Sequence, residues 1–303
     1  MNKLTALIDG DVPVYSCGFA VEHRIYSVQK LDPQSSKDFD NKKEAKTYFD
    51  EIGADEIVVT TDIEPVENAI QNINTLINSI MEETGATEYR LFLTGEGNFR
   101  EELVDNYKAN RDPLHKPYWY KEIKDYMIKR LGAEIIDGQE ADDAMSIIQY
   151  EDFCPFDPPS TVICTIDKDL DMVPGLHYKW NKEKPEEKMF FVNPMEGLHF
   201  FYKQILTGDT TNNIDGLYKL TKKKAMKKIL EPIDSMDYEG DMWEYVVKIF
   251  NDEGVPTETV ITNARLLWMR STPNEMWLPP LARSIEYYLT KEELEDIAGG
   301  VAV

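Results

Sequence analysis

Three carboxylates lie close together in the stretch Glu140-Ala-Asp142-Asp143, where an apolar, strand-like run gives way to a helical pattern. The helix dipole favours acidic residues in a first turn, so the cluster could be an ordinary helix start. So many like charges are easier to accommodate when divalent cations lie between them, because carboxylates bind hard cations. The stretch therefore allows two interpretations, an acidic helix start or one wall of a metal site.

Other acidic residues lie at the ends of predicted elements. Asp9 ends a short apolar run, Asp167 and Asp169 follow a continuous β-branched run, and Asp209 follows a predicted helix. Because the carboxyl ends of parallel strands meet at one edge of a sheet, we expect the first two groups and the Glu140 cluster to converge there.

Carboxylates gathered in this way repel one another unless cations neutralise them. All-oxygen ligation without His or Cys favours Mg²⁺ or Mn²⁺ over zinc. A pair of such ions can activate water and stabilise the leaving oxygen during phosphodiester hydrolysis. The acidic residues thus predict a metal-dependent hydrolase of phosphodiesters.

The charge distribution also bears on the partner. The net charge of −23 would normally count against nucleic acid, whose phosphates need Lys and Arg. The cations are concentrated in two patches, which are Lys219, Lys222, Lys223, Lys224, Lys227 and Lys228, and Arg100, Lys108, Arg111, Lys116, Lys121, Lys124, Lys129 and Arg130. Aromatic residues interleave with the second patch, as is typical of proteins that bind single-stranded nucleic acid. Either patch could instead be a solvated helical face.

Bulk composition indicates the broad class. A chain of 303 residues can form one large domain or two medium ones. Three cysteines without a CxxC pair, and four scattered histidines, argue against a disulfide framework and a zinc cluster. No apolar run approaches the length of a membrane span, and the start of the chain leads into a strand rather than a signal peptide. We expect a cytoplasmic protein with no membrane partner.

Hydrophobic patterns predict an α/β fold. Predicted strands cover 4–8, 24–28, 56–60, 88–94, 133–136 and 160–166, and predicted helices cover 12–20, 42–52, 65–83, 117–130 and 200–206. Residues 31–40 are predicted to be a polar loop, and 181–187 a hairpin tip. Strands and helices alternate to about residue 200 and helices follow, which predicts a mainly parallel sheet flanked by helices with a helical appendix.

Five motifs resemble those of the flap endonuclease and 5′-exonuclease family, in particular the small bacteriophage 5′→3′ exonucleases. In family order they are Ile8-Asp-Gly-Asp11, Phe99-Arg-Glu-Glu-Leu-Val-Asp-Asn-Tyr-Lys-Ala-Asn-Arg-Asp112, Glu140-Ala-Asp-Asp143, Ile166-Asp-Lys-Asp-Leu170 and Gly208-Asp-x-x-Asn-Asn-Ile-x-Gly216. The resemblance implies a PIN-like nuclease domain over 1–199, with a helical gateway at about 98–130. It also implies a helical domain over 200–303, with a helix–turn–helix element that binds duplex DNA at about 205–230.

The resemblance implies a role for each matched residue. Two divalent ions would be held by Asp9, Glu140, Asp142, Asp143, Asp167, Asp169, Asp209 and Asn212. Lys108 and Arg100 would lie on the gateway and contact the scissile phosphate. DNA would be bound by Tyr107, Arg111, Gly216, Lys219, Lys222, Lys223 and Lys224, with Gly216 at the tight turn.

The implied activity is Mg²⁺- or Mn²⁺-dependent 5′→3′ hydrolysis at the ends or flaps of duplex DNA, and of RNA annealed to DNA. The family setting is primer removal in phage DNA replication and recombination. The expected form is a monomer in the host cytoplasm, working with replication proteins.

Two positions depart from the family pattern. Asn212 stands where relatives carry a second Asp, which removes one charge, and Asp215 could compensate. Gly95 stands where relatives carry an Asp after a strand, and Glu96 could reach the same place. Both departures predict weaker binding of a second metal ion.

Two other classes fit parts of the sequence. Asp9-Gly-Asp11 also matches the Asp-x-Asp signature of haloacid-dehalogenase-type phosphatases, with Asp9 as nucleophile and Asp11 as general acid. That hypothesis leaves the Glu140 cluster and the lysine patches without a function. The second alternative is a structure-specific DNA-binding protein that has lost catalysis, which the two departures suggest and the retained acidic clusters oppose.

Overall fold

The computed structural model describes residues 3–31, 34–110, 116–217 and 223–280, with only the backbone of 223–225. The strands are β1 (Thr5–Asp9), β2 (Glu22–Leu31), β3 (Gln34–Phe39), β4 (Glu56–Ile63), β5 (Glu88–Thr94), β6 (Glu134–Ile136), β7 (Thr161–Cys164), β8 (Gly175–Tyr178), β9 (Met189–Val192), β10 (Gly208–Asp209) and β11 (Ile214–Asp215). The helices are α1 (Asp11–Phe19), α2 (Lys42–Ile52), α3 (Val66–Thr84), α4 (Phe99–Leu103), α5 (Tyr120–Leu131), α6 (Ala141–Asp152), α7 (Pro185–Lys188), α8 (Pro194–Thr207), α9 (Lys223–Leu230), α10 (Glu239–Asp252) and α11 (Thr257–Leu267). Short 3₁₀ helices cover Asp169–Met172 and Glu231–Ser235.

A six-stranded sheet forms the centre of the fold, in the order β6-β5-β1-β7-β8-β9. Its strand pairs are parallel except β8 with β9, which is antiparallel. The predicted mainly parallel sheet is therefore confirmed. Its parallel pairing sends the carboxyl ends of β1, β5 and β7 to one edge, where the acidic motifs follow.

Helices cover both faces of the sheet. Successive side chains of a strand point to opposite faces, and apolar residues of β1 lie on each face. On one face Ala6 and Ile8 of β1 belong to a core shared with α1, α3 and α5. On the other face Leu7 belongs to a core that also contains residues of α6, α8, α10 and α11. This layered arrangement of helices around a sheet is the predicted fold class.

The second core cluster bears on the predicted domain division. It joins Leu7 and Phe92 of the sheet to Phe201 of α8 and Trp277 near the end of the described chain. The predicted boundary at 199/200 falls inside α8, so the two-domain division stays a prediction. The helical gateway and the helix–turn–helix element also stay predictions, although α8 and α9 do flank the turn that carries Gly208 and Gly216.

The prediction of a polar loop over 31–40 is wrong. Within that segment β3 pairs with β2, which pairs in turn with β4, in a separate three-stranded antiparallel sheet with α2 packed on it. All but the last residue of β3 are exposed, so backbone hydrogen bonds rather than an apolar pattern define this edge strand. The expected hairpin over 181–187 is confirmed between β8 and β9, with α7 inside it.

The helix predicted over 200–206 begins earlier than expected. Asn193 accepts hydrogen bonds from the backbone amides of Met195 and Glu196, and the Glu196 carboxylate accepts one from the Asn193 amide. With Pro194 in the first helical position, this capping box starts α8 before its apolar periodicity becomes visible.

Within the described ranges, none of the helices combines the length and apolarity needed to cross a bilayer.

Candidate active site

A cleft of about 410 Å³ opens at the carboxyl edge of β1, β5 and β7. Among the residues that line it are the carboxylates of Asp9, Asp11, Glu140, Asp142 and Asp167, and the cation Lys108. The predicted convergence of the three acidic groups is thereby confirmed.

Asp9 is fixed at the point where β1 becomes α1. It is only 3% exposed. One carboxylate oxygen accepts the backbone amides of Asp11 at 2.9 Å and Val12 at 3.3 Å, which start the helix. The other accepts the hydroxyl of Thr165 at 2.8 Å, just after β7. Asp9 thus ties two neighbouring strand ends to each other.

The loop after β7 positions the next two carboxylates. The Thr165 hydroxyl accepts the backbone amide of Asp167 at 3.0 Å, and the Asp167 carboxylate accepts the amide of Asp169 at 2.9 Å. Gln204 of α8 donates its side-chain amide to Asp169 at 2.6 Å. Each carboxylate is therefore held by a neighbour in the loop or by α8.

Asp209 and Asn212 lie on the turn that follows α8, and both are buried. The Asn212 amide nitrogen donates to the Asp209 carboxylate at 3.0 Å. The charge of Asp209 contributes to a raised pKa of Asp169, so this turn lies within electrostatic range of the loop after β7. Asp215, the predicted substitute for a missing carboxylate, is exposed.

Glu140 immediately precedes α6 and accepts hydrogen bonds from the residue before α4 and from the segment between α4 and α5. Its carboxylate accepts the Lys108 ammonium, the Asn98 amide at 2.8 Å and the Tyr107 hydroxyl at 3.3 Å. Lys108 therefore lies against the acidic wall, and its contact with a scissile phosphate stays a prediction.

Arg100 was predicted to contact the scissile phosphate, and the structure places it elsewhere. It is fully buried, and its guanidinium donates to both oxygens of Asp143, at 2.6 and 2.9 Å. Its other donors bind the backbone carbonyls of Leu266 and Trp268, each at 2.8 Å. In this arrangement Arg100 cannot reach substrate without breaking these bonds, so we correct its predicted catalytic role to a structural one.

The same ion pair changes the interpretation of Asp143. Its carboxylate is fully buried and also accepts the backbone amides of Glu140 at 3.2 Å and Arg270 at 3.3 Å. Asp143 is not among the residues that line the cleft, whereas Asp142 is. The predicted metal-binding role of Asp143 is therefore replaced by one in holding the start of α6.

Tyr107 was predicted to bind DNA, but its ring is only 6% exposed and belongs to the hydrophobic core. Its hydroxyl contacts Glu140, and the Lys108 ammonium lies 5.1 Å from the ring centroid. The burial leaves no ring face for a base to stack on, so Tyr107 supports Glu140 and Lys108 instead.

The remaining predicted DNA contacts are only partly described. Arg111, Lys219 and Lys222 lie outside the described residues, and Lys223 and Lys224 lie in α9, where their side chains are not described. A Cβ on Gly216 would lie 2.1 Å from the Thr207 carbonyl carbon and 2.3 Å from the Gly208 amide. Gly216 therefore lies too close to the end of α8 for a side chain, while its place at the tight turn of a helix–turn–helix element and its contact with DNA stay predictions.

Burial and mutual repulsion dominate the electrostatics of the cleft. Burial, followed by the charge of Asp11, raises the pKa of Asp9 to about 7. Burial, followed by the charge of Asp167, raises the pKa of Asp169 to about 7. Burial and the charges of Asp9 and Asp167 raise the pKa of Asp142 well above its usual value. The carboxylates thus need protons or cations to compensate their charge.

Divalent cations fit this donor set, because it is rich in carboxylate oxygens and poor in other charge compensation. Among the described residues, no three His, Cys, Asp or Glu side chains are already arranged as a metal-ligand group. Two contacts account for part of this absence. Lys108 pairs with Glu140, and Gln204 donates to Asp169, so both carboxylates already bind protein donors. Ligation by Glu140 and Asp169 would compete with these protein donors.

The surroundings of Gly95 leave no room for a side chain. A Cβ at Gly95 would lie 2.1 Å from a carboxylate oxygen of Asp137, which accepts the Glu96 backbone amide at 2.9 Å. A larger residue at 95 would displace Asp137. Glu96 is exposed and is not among the residues lining the cleft.

Sequence reasoning missed several residues that shape the cleft. Thr94 at the end of β5 donates its amide to Asp11 at 3.0 Å and accepts the Ala141 amide on its hydroxyl at 3.0 Å. Lys124 of α5 donates to the Thr94 carbonyl at 3.0 Å. The repeated aspartate in Asp9-Gly-Asp11 was the available signal, whereas nothing in the sequence singled out Thr94.

The contact between Asn212 and Asp209 leads to a prediction for Asn212→Asp. Two carboxylates would then replace a donor–acceptor pair in a buried place. The free energy of unfolding in EDTA should fall by about 1–3 kcal/mol, the usual cost of an uncompensated buried polar group. Mg²⁺ should restore more stability to this variant than to the wild type, because binding to the folded state is stabilising. Thermal unfolding with EDTA and with Mg²⁺ measures both effects.

Asn68→Asp is the matched control, because Asn68 donates to the Glu64 carboxylate in an exposed place. Its effect should be small and insensitive to Mg²⁺. Equal losses in the two variants would contradict a special role for the buried pair.

Known proteins resemble the chain over part of its length. The site and sheet together define an α/β protein with an acidic cleft at the carboxyl edge of its parallel strands. No family model matches the chain. It is 37% identical over 93 residues to the exonuclease of Escherichia phage T7, covering 30% of this chain and 31% of that protein. It is 36% identical over 93 residues to the exodeoxyribonuclease of Enterobacteria phage T3, covering 30% of each.

The matched part thus spans about a third of the length of these curated relatives (31% and 30%). The resemblance to phage exonucleases that the motifs predicted is confirmed over that part.

Two solved structures illustrate the structural likenesses. The T5 5′-exonuclease with zinc ions bound aligns with 65% of this chain and 80% of its own, at 17% identity and a TM-score of 0.42. The catalytic core of Rad2 in complex with DNA substrate aligns with 98% of this chain and 92% of its own, at 13% identity and a TM-score of 0.44.

Proposed function

We propose that the protein is a divalent-metal-dependent 5′→3′ exonuclease and flap endonuclease that hydrolyses DNA at 5′ ends. The observation that carries the proposal is the gathering of Asp9, Asp142 and Asp167 around one cleft, with raised pKa values at Asp9 and Asp142 and a lysine beside them. The sequence match to phage exonucleases supports the same reaction class.

Two Mg²⁺ or Mn²⁺ ions would be held by Asp9, Asp142, Asp167, Asp169 and Asp209, with Glu140 and Asn212 at the rim. When bound, such ions supply an activated water and charge stabilisation for the leaving oxygen. Asp143, which is committed to Arg100, is left out of this ligand set.

The chain's own residues would orient the reacting groups. Thr165 and the backbone amides at the start of α1 hold Asp9, and Gln204 holds Asp169. Lys108, which pairs with Glu140 beside the cleft, would contact the scissile phosphate and stabilise the charge that develops there.

Duplex DNA would be bound through its phosphates, which give affinity without sequence recognition. Lys227 and Lys228 of α9 are exposed. On the gateway side, Lys116 lies 4.6 Å from the Tyr120 ring centroid, which combines a cation with an aromatic ring near the cleft. These features support the predicted helix–turn–helix and gateway as the DNA-binding elements.

The proposal extends to RNA annealed to DNA, and to primer removal in phage replication and recombination by a monomer acting with replication proteins in the host cytoplasm. It rests here on family resemblance. Metal-dependent release of label from an RNA strand, labelled at its 5′ end and annealed to DNA, tests the first point.

The decisive assay incubates a 5′-labelled DNA duplex, with and without a 5′ flap, in Mg²⁺, Mn²⁺ or EDTA. We expect labelled mono- or oligonucleotides in the presence of metal and none in EDTA. Binding of the duplex without any metal-dependent product would contradict the nuclease proposal and favour the DNA-binding alternative.

Lys108→Ala separates catalysis from binding. Lys108 would act mainly on the transition state. Its removal should therefore raise the activation free energy by about 2–4 kcal/mol, which lowers kcat roughly 30- to 1000-fold. The duplex Kd should change less than about threefold. Single-turnover cleavage and fluorescence anisotropy measure the two quantities, and Lys46→Ala, an exposed lysine of α2 outside both cationic patches, is the control. Equal losses of turnover and affinity would reassign Lys108 to ordinary phosphate binding.

A further inference from the structure

Two segments that carry different motifs are joined beside the cleft. The Lys108 backbone amide donates to the Asn212 carbonyl at 3.1 Å. On one side of this bond the Asn110 side chain donates to the Thr210 carbonyl at 2.7 Å, and on the other the Asn213 side chain donates to the Asn106 carbonyl at 2.9 Å. We call these three hydrogen bonds the asparagine latch.

The latch holds Lys108 in an unusual backbone conformation. Lys108 has φ of 55°, in the left-handed region that a lysine seldom adopts, and Asn213 has φ of 60°. Conformations of this kind persist only when the surroundings specify them, and they concentrate at functional sites. The flanking hydrogen bonds supply that specification, because the described residues 105–110 form turns without a regular helix or strand.

The latch also determines where the Lys108 ammonium lies. With its backbone fixed to the turn after α8, Lys108 extends to Glu140, and Tyr107 beside it reaches the same carboxylate. Asn110 and Asn213 are not among the residues lining the cleft, and their latch bonds lie at the surface. Any effect they have on cleavage must therefore pass through Lys108 or through the turn that carries Asp209 and Asn212.

We infer that Asn110 and Asn213 are positioning residues for Lys108, and that they make the turn at 208–216 and the catalytic lysine move as one unit. This inference rests on the proposed function, since it assumes that Lys108 acts on the scissile phosphate. It assigns a role to Asn110 in Tyr107-Lys-Ala-Asn-Arg111 and to Asn213 in the motif that ends at Gly216. Neither residue has a role in the proposed binding of metal or phosphate.

The test uses the full chain with Asn213→Gly and Asn110→Ala. Glycine at 213 retains the positive φ and removes only the side-chain donor. We expect kcat for a 5′-ended duplex to fall about tenfold in each variant, while the duplex Kd stays within twofold. Asn274→Gly is the matched control, because Asn274 also has a positive φ, of 61°, and should leave kcat unchanged.

Two further measurements distinguish positioning from a general structural effect. In the Lys108→Ala background, each asparagine variant should lower kcat no further. By hydrogen exchange and mass spectrometry, the peptide that contains the Lys108 amide should lose protection in Asn213→Gly and retain it in Asn274→Gly. The exchange measurement needs no cleavage, so it tests the latch even if the wild type proves inactive and the proposed function fails.

Additive losses in the Lys108→Ala background would overturn the inference, and so would unchanged kcat in both variants of an active enzyme. Unchanged protection of the Lys108 amide in Asn213→Gly would overturn it as well.

Discussion

Replacing Asp142 with asparagine is expected to abolish metal-dependent cleavage and to make the protein harder to unfold in EDTA. Asp142 lies in the first turn of α6 and lines the cleft together with Asp9 and Asp167. Loss of a metal-binding charge at this place should remove several kcal/mol of transition-state stabilisation, a rate loss on the order of 10³-fold. The greater resistance of Asp142→Asn to unfolding follows from the electrostatics of the Asp142 carboxylate.

The sign of the stability effect comes from the raised pKa. In the unfolded chain an aspartate titrates near 3.8, whereas burial and the charges of Asp9, Asp167 and Glu140 raise the pKa of Asp142 in the folded protein. Protonation therefore favours the folded state, and this contribution is fully present below pH 3.8 and lost as pH rises through the folded-state pKa. At neutral pH the wild type has lost this contribution to its folding stability. Asp142→Asn introduces a neutral side chain, whose contribution does not depend on pH.

Urea unfolding in EDTA between pH 4 and pH 8 would measure the difference. The stability gained by Asp142→Asn should be largest at the upper end and shrink toward the lower end. Asp241→Asn, which removes an exposed acid from the first turn of α10, is the control for helix-dipole effects. A variant that is inactive but less stable than wild type at neutral pH would show that Asp142 is a structural residue.

The sequence allowed the sheet and the acidic cleft to be predicted because both depend on local patterns. A buried run ending in Asp9 and another ending near Asp167 fix where the carboxylates lie once the strands are parallel. The side-chain partners could not be predicted in this way. Arg100 and Leu266 are far apart in the chain, and only packing of α11 against α4 brings them together.

Tyr107 and Asn110 show the same limit within one motif. Aromatic and cationic residues in alternation predict a surface that binds nucleic acid, but the pattern does not indicate which side chain turns inward. Tyr107 is buried because its hydroxyl finds Glu140 and its ring joins the core, and Asn110 faces a carbonyl of a segment a hundred residues away. The motif therefore predicted where Tyr107 and Asn110 lie in the fold better than it predicted what their side chains contact.

Arg100 and Asp143 form the centre of a buried polar network between α6 and the end of the described chain. Besides the four Arg100 bonds, the Arg270 amide donates to Asp143, and the Arg270 guanidinium donates to Gln139 at 2.8 Å and to the Glu275 carbonyl at 2.9 Å. The Arg270 guanidinium also lies 3.7 Å from the Phe99 ring centroid. The segment after α11 is thus attached to the residues that precede and start α6.

Removing Arg100 should therefore destabilise the fold rather than change the chemistry selectively. In Arg100→Met the Asp143 charge stays buried without its partner, which typically costs about 3–5 kcal/mol of unfolding free energy. Arg100→Lys should recover little of this, because an ammonium cannot reproduce the planar fork that binds Asp143 and two carbonyls. Arg100→Met with Asp143→Asn should recover part of it, since asparagine removes the unpaired charge and keeps one of the two oxygens that accept the Glu140 and Arg270 amides. Urea unfolding at pH 7 measures all three variants.

Cleavage assays on the same proteins decide between the structural and the catalytic assignment of Arg100. Under the structural assignment, the double variant that regains stability should also regain most of its kcat at a temperature where it is folded. Under the catalytic assignment the double variant would be stable and still lack activity, because its phosphate contact would be missing. Lys108→Ala provides the reference, since it should lose kcat at unchanged stability. A stable, folded and inactive double variant would restore Arg100 to the catalytic machinery and would imply that its guanidinium leaves Asp143 when substrate binds.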